Sequence, residues 1–178
     1  MEIVLYGDTD RRPITYTLLK LLKYMGDVAL FTHDVHYKRL IDGAETGELE
    51  SIFVSANEYD PEDILDTNDM QKADFEHIIY DGIVPEQFDM FIYVSGCNQS
   101  EEEKETLDVI DNPIIVNLGY GNKCIPYSVR MFQSIEEIEG YKLLKEVDPN
   151  ITKTIANLLC GPLGMSASNI RKVVARKR

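Results

Sequence analysis

Six short runs of mostly apolar residues constrain this chain more than any other feature: EIVLY at Glu2–Tyr6, VALF at 28–31, SIFVS at 51–55, HIIY at 77–80, MFIYV at 90–94 and PIIV at 113–116. A strand with one face in water alternates polar and apolar residues. A strand apolar along its whole length needs both faces covered, the situation inside a parallel sheet with helices on either side. The segments between the runs supply helices. Pro13 suits a first helical turn, where its missing N–H is no loss. Ile14, Leu18, Leu21, Leu22 and Met25 follow at helical spacing, with Gly26 as the expected C-cap. Strand, helix and strand within about thirty residues make a crossover unit, which implies parallel pairing. Further helices are expected at His36–Ile41 (ended by Gly43), after Asp60-Pro61, and after Ser100, which stands three residues before Glu103 in a capping-box spacing. Cys124–Tyr127 is expected as a short seventh strand. From Ser134 the pattern is helical, with breaks at Asp148-Pro149 and Cys160–Gly164. The expectation is an α/β chain. It should form a three-layer sandwich with a mainly parallel sheet of six or seven strands over residues 1–133. Residues 134–178 form a helical extension packed on the sheet through Ile151, Ile155, Leu158 and Leu159, with a basic tail at 165–178. The first strand, Glu2–Tyr6, should lie inside the sheet, not at its edge.

The 178 residues suit one domain and bury roughly 70% of their unfolded surface, so neither disulfides nor metal are needed for a core. No apolar run reaches the ~20 residues of a membrane span, and the first residues read as a strand rather than a signal peptide. A cytoplasmic protein without membrane insertion is expected. Cys97, Cys124 and Cys160 are odd in number and widely spaced, which points to reduced thiols and no zinc site. His33 and His36 flank Asp34 at a spacing that could present ligands on a helical turn, but solvent-facing histidines at a strand end explain them as well. Neither a metal nor a cofactor is expected. The net charge of −13 excludes a protein that coats nucleic acid over its whole surface. The closing stretch MSASNIRKVVARKR runs against that balance, with Arg171, Lys172, Arg176, Lys177 and Arg178 and no acid. It offers a localised contact for an anionic partner, or a helix ending in cations that favour its C-terminus.

In a parallel sheet, ligands bind past the carboxyl ends of the strands. Those ends carry Gly7-Asp8-Thr9-Asp10-Arg11-Arg12, then Thr32-His33-Asp34, Asp81-Gly82, Ser95-Gly96-Cys97-Asn98 and Asn117-Leu118-Gly119. This order resembles the MinD/ParA branch of the P-loop NTPases over most of residues 1–130, by layout more than by identity. Gly7 falls where the first glycine of GxxxxGK[ST] would be. Phe88–Val94 (FDMFIYV) is similar to a core strand of that group. Pro113–Asn117 (PIIVN) is similar to the strand whose terminal asparagine reads the base, and Ile125-Pro126-Tyr127 to the segment that follows it. Asp81 matches the place of the Walker B aspartate. The resemblance implies a P-loop-like or Rossmann-like fold, a face made by Gly7, Asp8, Asp10, Arg11, Arg12, Asp34, Asp81, Asn98 and Asn117, and a homodimer across it.

The departures from that pattern bear on activity. The positions of Gly, Lys and Ser/Thr in the loop hold Arg12, Pro13 and Ile14. Proline has no N–H for a phosphate, and isoleucine cannot hold Mg²⁺. Asp8 and Asp10 add negative charge, each worth about 4 kcal/mol against a unit charge at ~4 Å and an effective dielectric near 20, which Arg11 and Arg12 could offset. Hydrolysis of ATP or GTP is not expected. Cys97 follows a strand, where a nucleophile can lie, but no histidine is assigned to it. Residues 154–172 are similar to a helix-turn-helix with Ser166 as N-cap, interrupted by the extra Cys160–Leu163. Three functions remain open at this point: a non-catalytic ATPase-like scaffold working through protein contacts, a DNA-linked regulator or partition factor using the basic tail, and an enzyme or nucleotide sensor with a non-standard phosphate loop.

Overall fold

The structure, a computed structural model, describes residues 1–96, 99–119, 125–126 and 149–175. The chain is α/β, with a mostly parallel sheet. The elements run β1 (Glu2–Tyr6), α1 (Arg12–Leu22), β2 (Val28–Thr32), a 3₁₀ segment (Val35–Ile41), β3 (Thr46–Leu49), β4 (Ile52–Ala56), α2 (Pro61–Thr67), β5 (His77–Asp81), β6 (Met90–Ser95), α3 (Glu101–Val109), β7 (Ile114–Gly119), β8 (Ile125–Pro126), α4 (Pro149–Leu159) and α5 (Ala167–Ala175). The strands lie in the order β3-β4-β2-β5-β1-β6-β7-β8. All neighbours are parallel except β3 and β4. β1 is interior, between β5 and β6, with Ile3, Val4 and Leu5 fully buried. β1 and β2 do not pair with each other as the first strand-helix-strand unit implies, because β5 is inserted between them and pairs with both.

The continuous apolar runs have the cause inferred for them. Side chains of one strand alternate between two cores. Ile3, Leu5, Leu30, Ile79 and Ile92 join α1 on one face, while Val4, Phe31, Ile78, Tyr80 and Phe91 join α2 on the other. Each such aliphatic or aromatic side chain contributes about 1.5–3 kcal/mol when fully buried. Every residue of α1 is buried, including Lys20 at 5% exposure. The reason is a further layer, since α4 and α5 pack across the back of α1 through Ile151, Ile155, Leu159 and Ile170. Among the described residues the C-terminal helices rest mainly on α1, with α4 also against β8, and Leu158 is only half-buried. No helix among the described residues is long and apolar enough to cross a membrane.

Candidate functional site

The loop leaving β1 is shaped by Gly7, whose φ of +129° and packing exclude any other residue. A Cβ there would overlap the Val94 carbonyl oxygen at the end of β6. The chain then turns through Asp8, Thr9 and Asp10 into α1, and the side chains that follow fold back onto the loop. Arg11 Nε donates to Asp81 Oδ1 at 2.5 Å, and another guanidinium nitrogen donates to the Gly7 carbonyl oxygen. Gly82, at φ +77°, leaves room for this, since a Cβ there would sit 2.9 Å from the Arg11 guanidinium.

Asp81 ends β5 at 1% exposure. Burial raises its pKa, and the Arg11 cation only partly opposes that. For Arg11, burial acts to lower the pKa, but the Asp81 carboxylate outweighs it and the net shift is upward. The pair is extended by hydroxyls. Thr32 Oγ1 donates to Asp81 Oδ2 at 3.4 Å, the Tyr37 hydroxyl lies beside Asp81 and donates to Thr15 Oγ1 at 2.9 Å, and Thr15 Oγ1 donates to the Arg11 carbonyl oxygen at 3.1 Å. Full burial, above all other influences, holds the Tyr37 phenol well above its ordinary pKa, so it remains neutral.

The start of α1 is equally occupied. The Asp10 carboxylate takes Arg12 Nε at 2.9 Å, a second Arg12 guanidinium nitrogen at 3.0 Å and the Arg12 backbone N–H at 3.1 Å. Pro13 has no N–H. Those of Ile14 and Thr15 both donate to the Arg11 carbonyl oxygen, at 2.9 and 3.0 Å. A helix N-terminus binds an anion through its unpaired N–H groups, and here residues 12–15 offer none. Further back along the loop, the Asp8 N–H donates to Glu103 Oε1 at 2.7 Å.

Glu103 reaches this position from α3, of which it is the only fully buried residue. Its other oxygen accepts the Ser100 N–H at 2.7 Å, and Ser100 Oγ accepts the Glu103 N–H at 3.1 Å. Burial would raise the Glu103 pKa. The Ser100 and Asp8 N–H groups, together with the nearby Tyr93 hydroxyl, overcome that and hold it below its ordinary value. The Tyr93 hydroxyl is itself buried and makes no aligned hydrogen bond.

No family model matches the chain, and no curated protein is similar to it.

Of the residues anticipated for this face, Gly7, Asp10, Arg11, Arg12 and Asp81 come together at the carboxyl ends of β1 and β5. Asp8 lies in the same loop with an exposed side chain. Asp34 caps the 3₁₀ segment, accepting the His36 N–H at 2.9 Å, with His36 Nδ1 2.6 Å from the same oxygen. Asn117 sits on β7 opposite Ser95, two strands from β1. Asn98 and Cys97 fall outside the described residues, as do Cys124, Tyr127, residues 134–148 and the tail cations Arg176, Lys177 and Arg178. Arg171 and Lys172 lie exposed on α5, far along the chain from this loop. Residues 160–166 separate α4 from α5, a longer connection than the 3–4 residues of a helix-turn-helix. Among the described residues, no three His, Cys, Asp or Glu side chains are grouped to hold a metal ion. The sequence reading missed Thr15, Tyr37 and Tyr93, and named Thr32 only as part of a strand end. It named Glu103 only as part of a cap, and no local pattern marks a carboxylate that meets a backbone N–H ninety-five positions away.

Proposed function

We propose that this chain is a non-catalytic relative of the P-loop NTPases, a cytoplasmic scaffold that works through protein contacts. The central support is the Arg11 guanidinium seated against Asp81 and the Gly7 carbonyl oxygen. In a working enzyme of that kind, the loop after the first strand needs open N–H groups for phosphate, and the aspartate on the neighbouring strand serves the metal. Here β1 is central, the Asp81 strand is its neighbour, and the same positions neutralise one another. Arg11 takes up Asp81, Asp10 takes up Arg12, and Glu103 takes up the Asp8 N–H. A nucleotide would have to break these contacts and would regain no lysine or magnesium-binding hydroxyl in return.

The test is to add Mg²⁺ with ATP or GTP to the full chain. Phosphate release should equal that of a buffer blank, and the unfolding temperature should not move with nucleotide, since only a ligand that binds the folded state raises it. Phosphate release above the blank that disappears in Asp81→Asn would defeat the proposal in favour of an enzyme with a non-standard loop.

A further inference from the structure

Acid and base are segregated in this chain, both along the sequence and across the fold. Residues 42–111 hold 21 of the 31 acidic residues and two cations, Lys72 and Lys104, whereas residues 149–178 hold six cations and no acid. Among the described residues, Arg171 and Lys172 lie on the opposite side of the sheet from α2. α2 covers the sheet face that carries Phe31 and Tyr80, while α5 lies behind α1 on the other face. Ile170 turns inward from α5 and leaves Arg171 and Lys172 exposed. Among the described residues neither of those cations pairs with a carboxylate, although the chain as a whole has a large excess of acid.

The other side of the molecule has a groove of about 620 Å³ between the start of α2 and the segment after β5. Tyr80, Ile83 and Val84 give it an apolar floor, and Glu2, Asp60, Glu62 and Glu86 give it an acidic rim. Lys72 meets Glu62 there at 3.2 Å. Tyr80 donates its hydroxyl to Glu2 at 3.0 Å, and Asp60 caps α2. Exposed Glu58, Asp63, Asp66 and Asp69 lie along the adjoining chain and add no cation.

We infer that the chain self-assembles head to tail, with the basic face of α5 in one copy docked into the acidic groove of the next. The aliphatic stems of the exposed Arg171 and Lys172 suit the apolar floor, and their charged ends suit the rim. A second copy is favoured over other anionic partners because it brings the complementary surface at equal concentration. The acid excess of the body repels nucleic acid and anionic lipid, and it repels a second copy as well, so the contact depends on the local match of α5 with the groove. Groove and tail are different surfaces, so the contact is heterologous and generates a ring or an open chain rather than a closed two-fold dimer. It uses none of the residues of the loop after β1 and stands independently of the function proposed above.

Sedimentation velocity of the full chain provides the test, at rising protein and salt concentrations. The wild-type chain should assemble at low ionic strength and lose about tenfold or more in association constant as the Debye length falls from ~30 Å at 0.01 M to ~8 Å at 0.15 M. Two variants reverse the surfaces, Glu62→Lys with Glu86→Lys in the groove and Arg171→Glu with Lys172→Glu on α5. All four positions are exposed, and circular dichroism checks the fold. Neutral versions of the same changes, to Gln, serve if a reversal perturbs it. Each reversed variant alone should be monomeric, and an equimolar mixture of the two should assemble again. A wild-type chain that stays monomeric, variants that assemble as well as the wild type, or a mixture that does not assemble would overturn the inference. Tail-dependent binding of mixed-sequence duplex at ~0.15 M salt, in place of self-association, would overturn it in favour of a nucleic-acid contact. Any of these results leaves the nucleotide experiment unaffected.

Discussion

Removing one partner of the Arg11–Asp81 pair should cost very different amounts depending on which partner goes. Arg11→Ala strands a carboxylate that is 1% exposed, with only the Thr32 and Tyr37 hydroxyls beside it. A buried charge deprived of its partner costs about 3–5 kcal/mol. Asp81→Asn strands a guanidinium that is 19% exposed and can turn toward water. What is lost is a charge-assisted hydrogen bond, about 1.5–3 kcal/mol. At 2–4 °C per kcal/mol for a chain of this length, Arg11→Ala lowers the unfolding temperature by ~10 °C and Asp81→Asn by ~5 °C. Adding Asp81→Asn to Arg11→Ala removes the stranded charge, so the double variant should be more stable than Arg11→Ala alone. The pH dependence has a definite sign. Burial already raises the Asp81 pKa, and losing Arg11 raises it further. A group raised in the folded state lends stability below its unfolded pKa and loses it as pH rises through the folded value. The deficit of Arg11→Ala is therefore smallest in acid, from about the ordinary 3.8 downward, and grows as pH rises through the raised value. Urea unfolding followed by circular dichroism at several pH values measures all of this. An Asp81→Asn variant less stable than Arg11→Ala, or a double variant no better than Arg11→Ala, would refute the reasoning.

Glu103→Ala leaves the Asp8 and Ser100 N–H groups without their acceptor and should cost about 3 kcal/mol, with faster amide exchange at Asp8. Since the Glu103 pKa is lowered in the fold, the stabilisation it gives is present above its ordinary 4.5 and is lost as pH falls through the lowered value; the gap between wild type and Glu103→Gln should close on acidification, and a gap independent of pH would count against a buried, ionised Glu103. Gly7→Ala combines a positive φ with overlap on the Val94 carbonyl and should prevent stable folding, while Gly43→Ala, at φ +86° with nothing within 4 Å of the new Cβ, should cost only about 1–2 kcal/mol. Equal losses at the two glycines, read from unfolding midpoints, would show that close packing at Gly7 is not what matters.

The parts of this molecule that were legible in the sequence are those whose cause is local and repeated. Ile3–Leu5 and Ile78–Tyr80 run apolar without a break because two cores claim alternate side chains, and that signal is present in each strand separately. The Asp60-Pro61 start of α2, the Ser100–Glu103 capping box and the Ser166 cap of α5 are all made as read, because a cap is decided within four residues. β3 was missed since Thr46-Gly47-Glu48-Leu49 is an antiparallel edge strand, half in water, with no apolar run to mark it. The helical stripe was drawn as far as Gly26, whereas α1 stops at Leu22. The N–H groups of Tyr24 and Met25 there reach back only three residues, to Leu21 and Leu22, in the tighter turns that end a helix.

The candidate site is legible only by half, and the reason is the distance its contacts span. Sequence spacing put Arg12, Pro13 and Ile14 where a phosphate loop would need other residues, and that follows from the local chain. Which acid answers Arg11 depends on β5 having been inserted beside β1, a pairing of residues seventy positions apart that no pattern near either one records. Glu103 is more extreme, because its local role as a cap is complete and gives no sign of a second one. Once the strand order is known, both contacts follow from one requirement, that no charge or N–H group stay buried and unmatched. The loop after β1 is lined with acids and bases, and α3 and β5 bring two more acids, Glu103 and Asp81. The fold settles them against one another, which is why a loop so rich in ionic groups presents so few of them to a ligand.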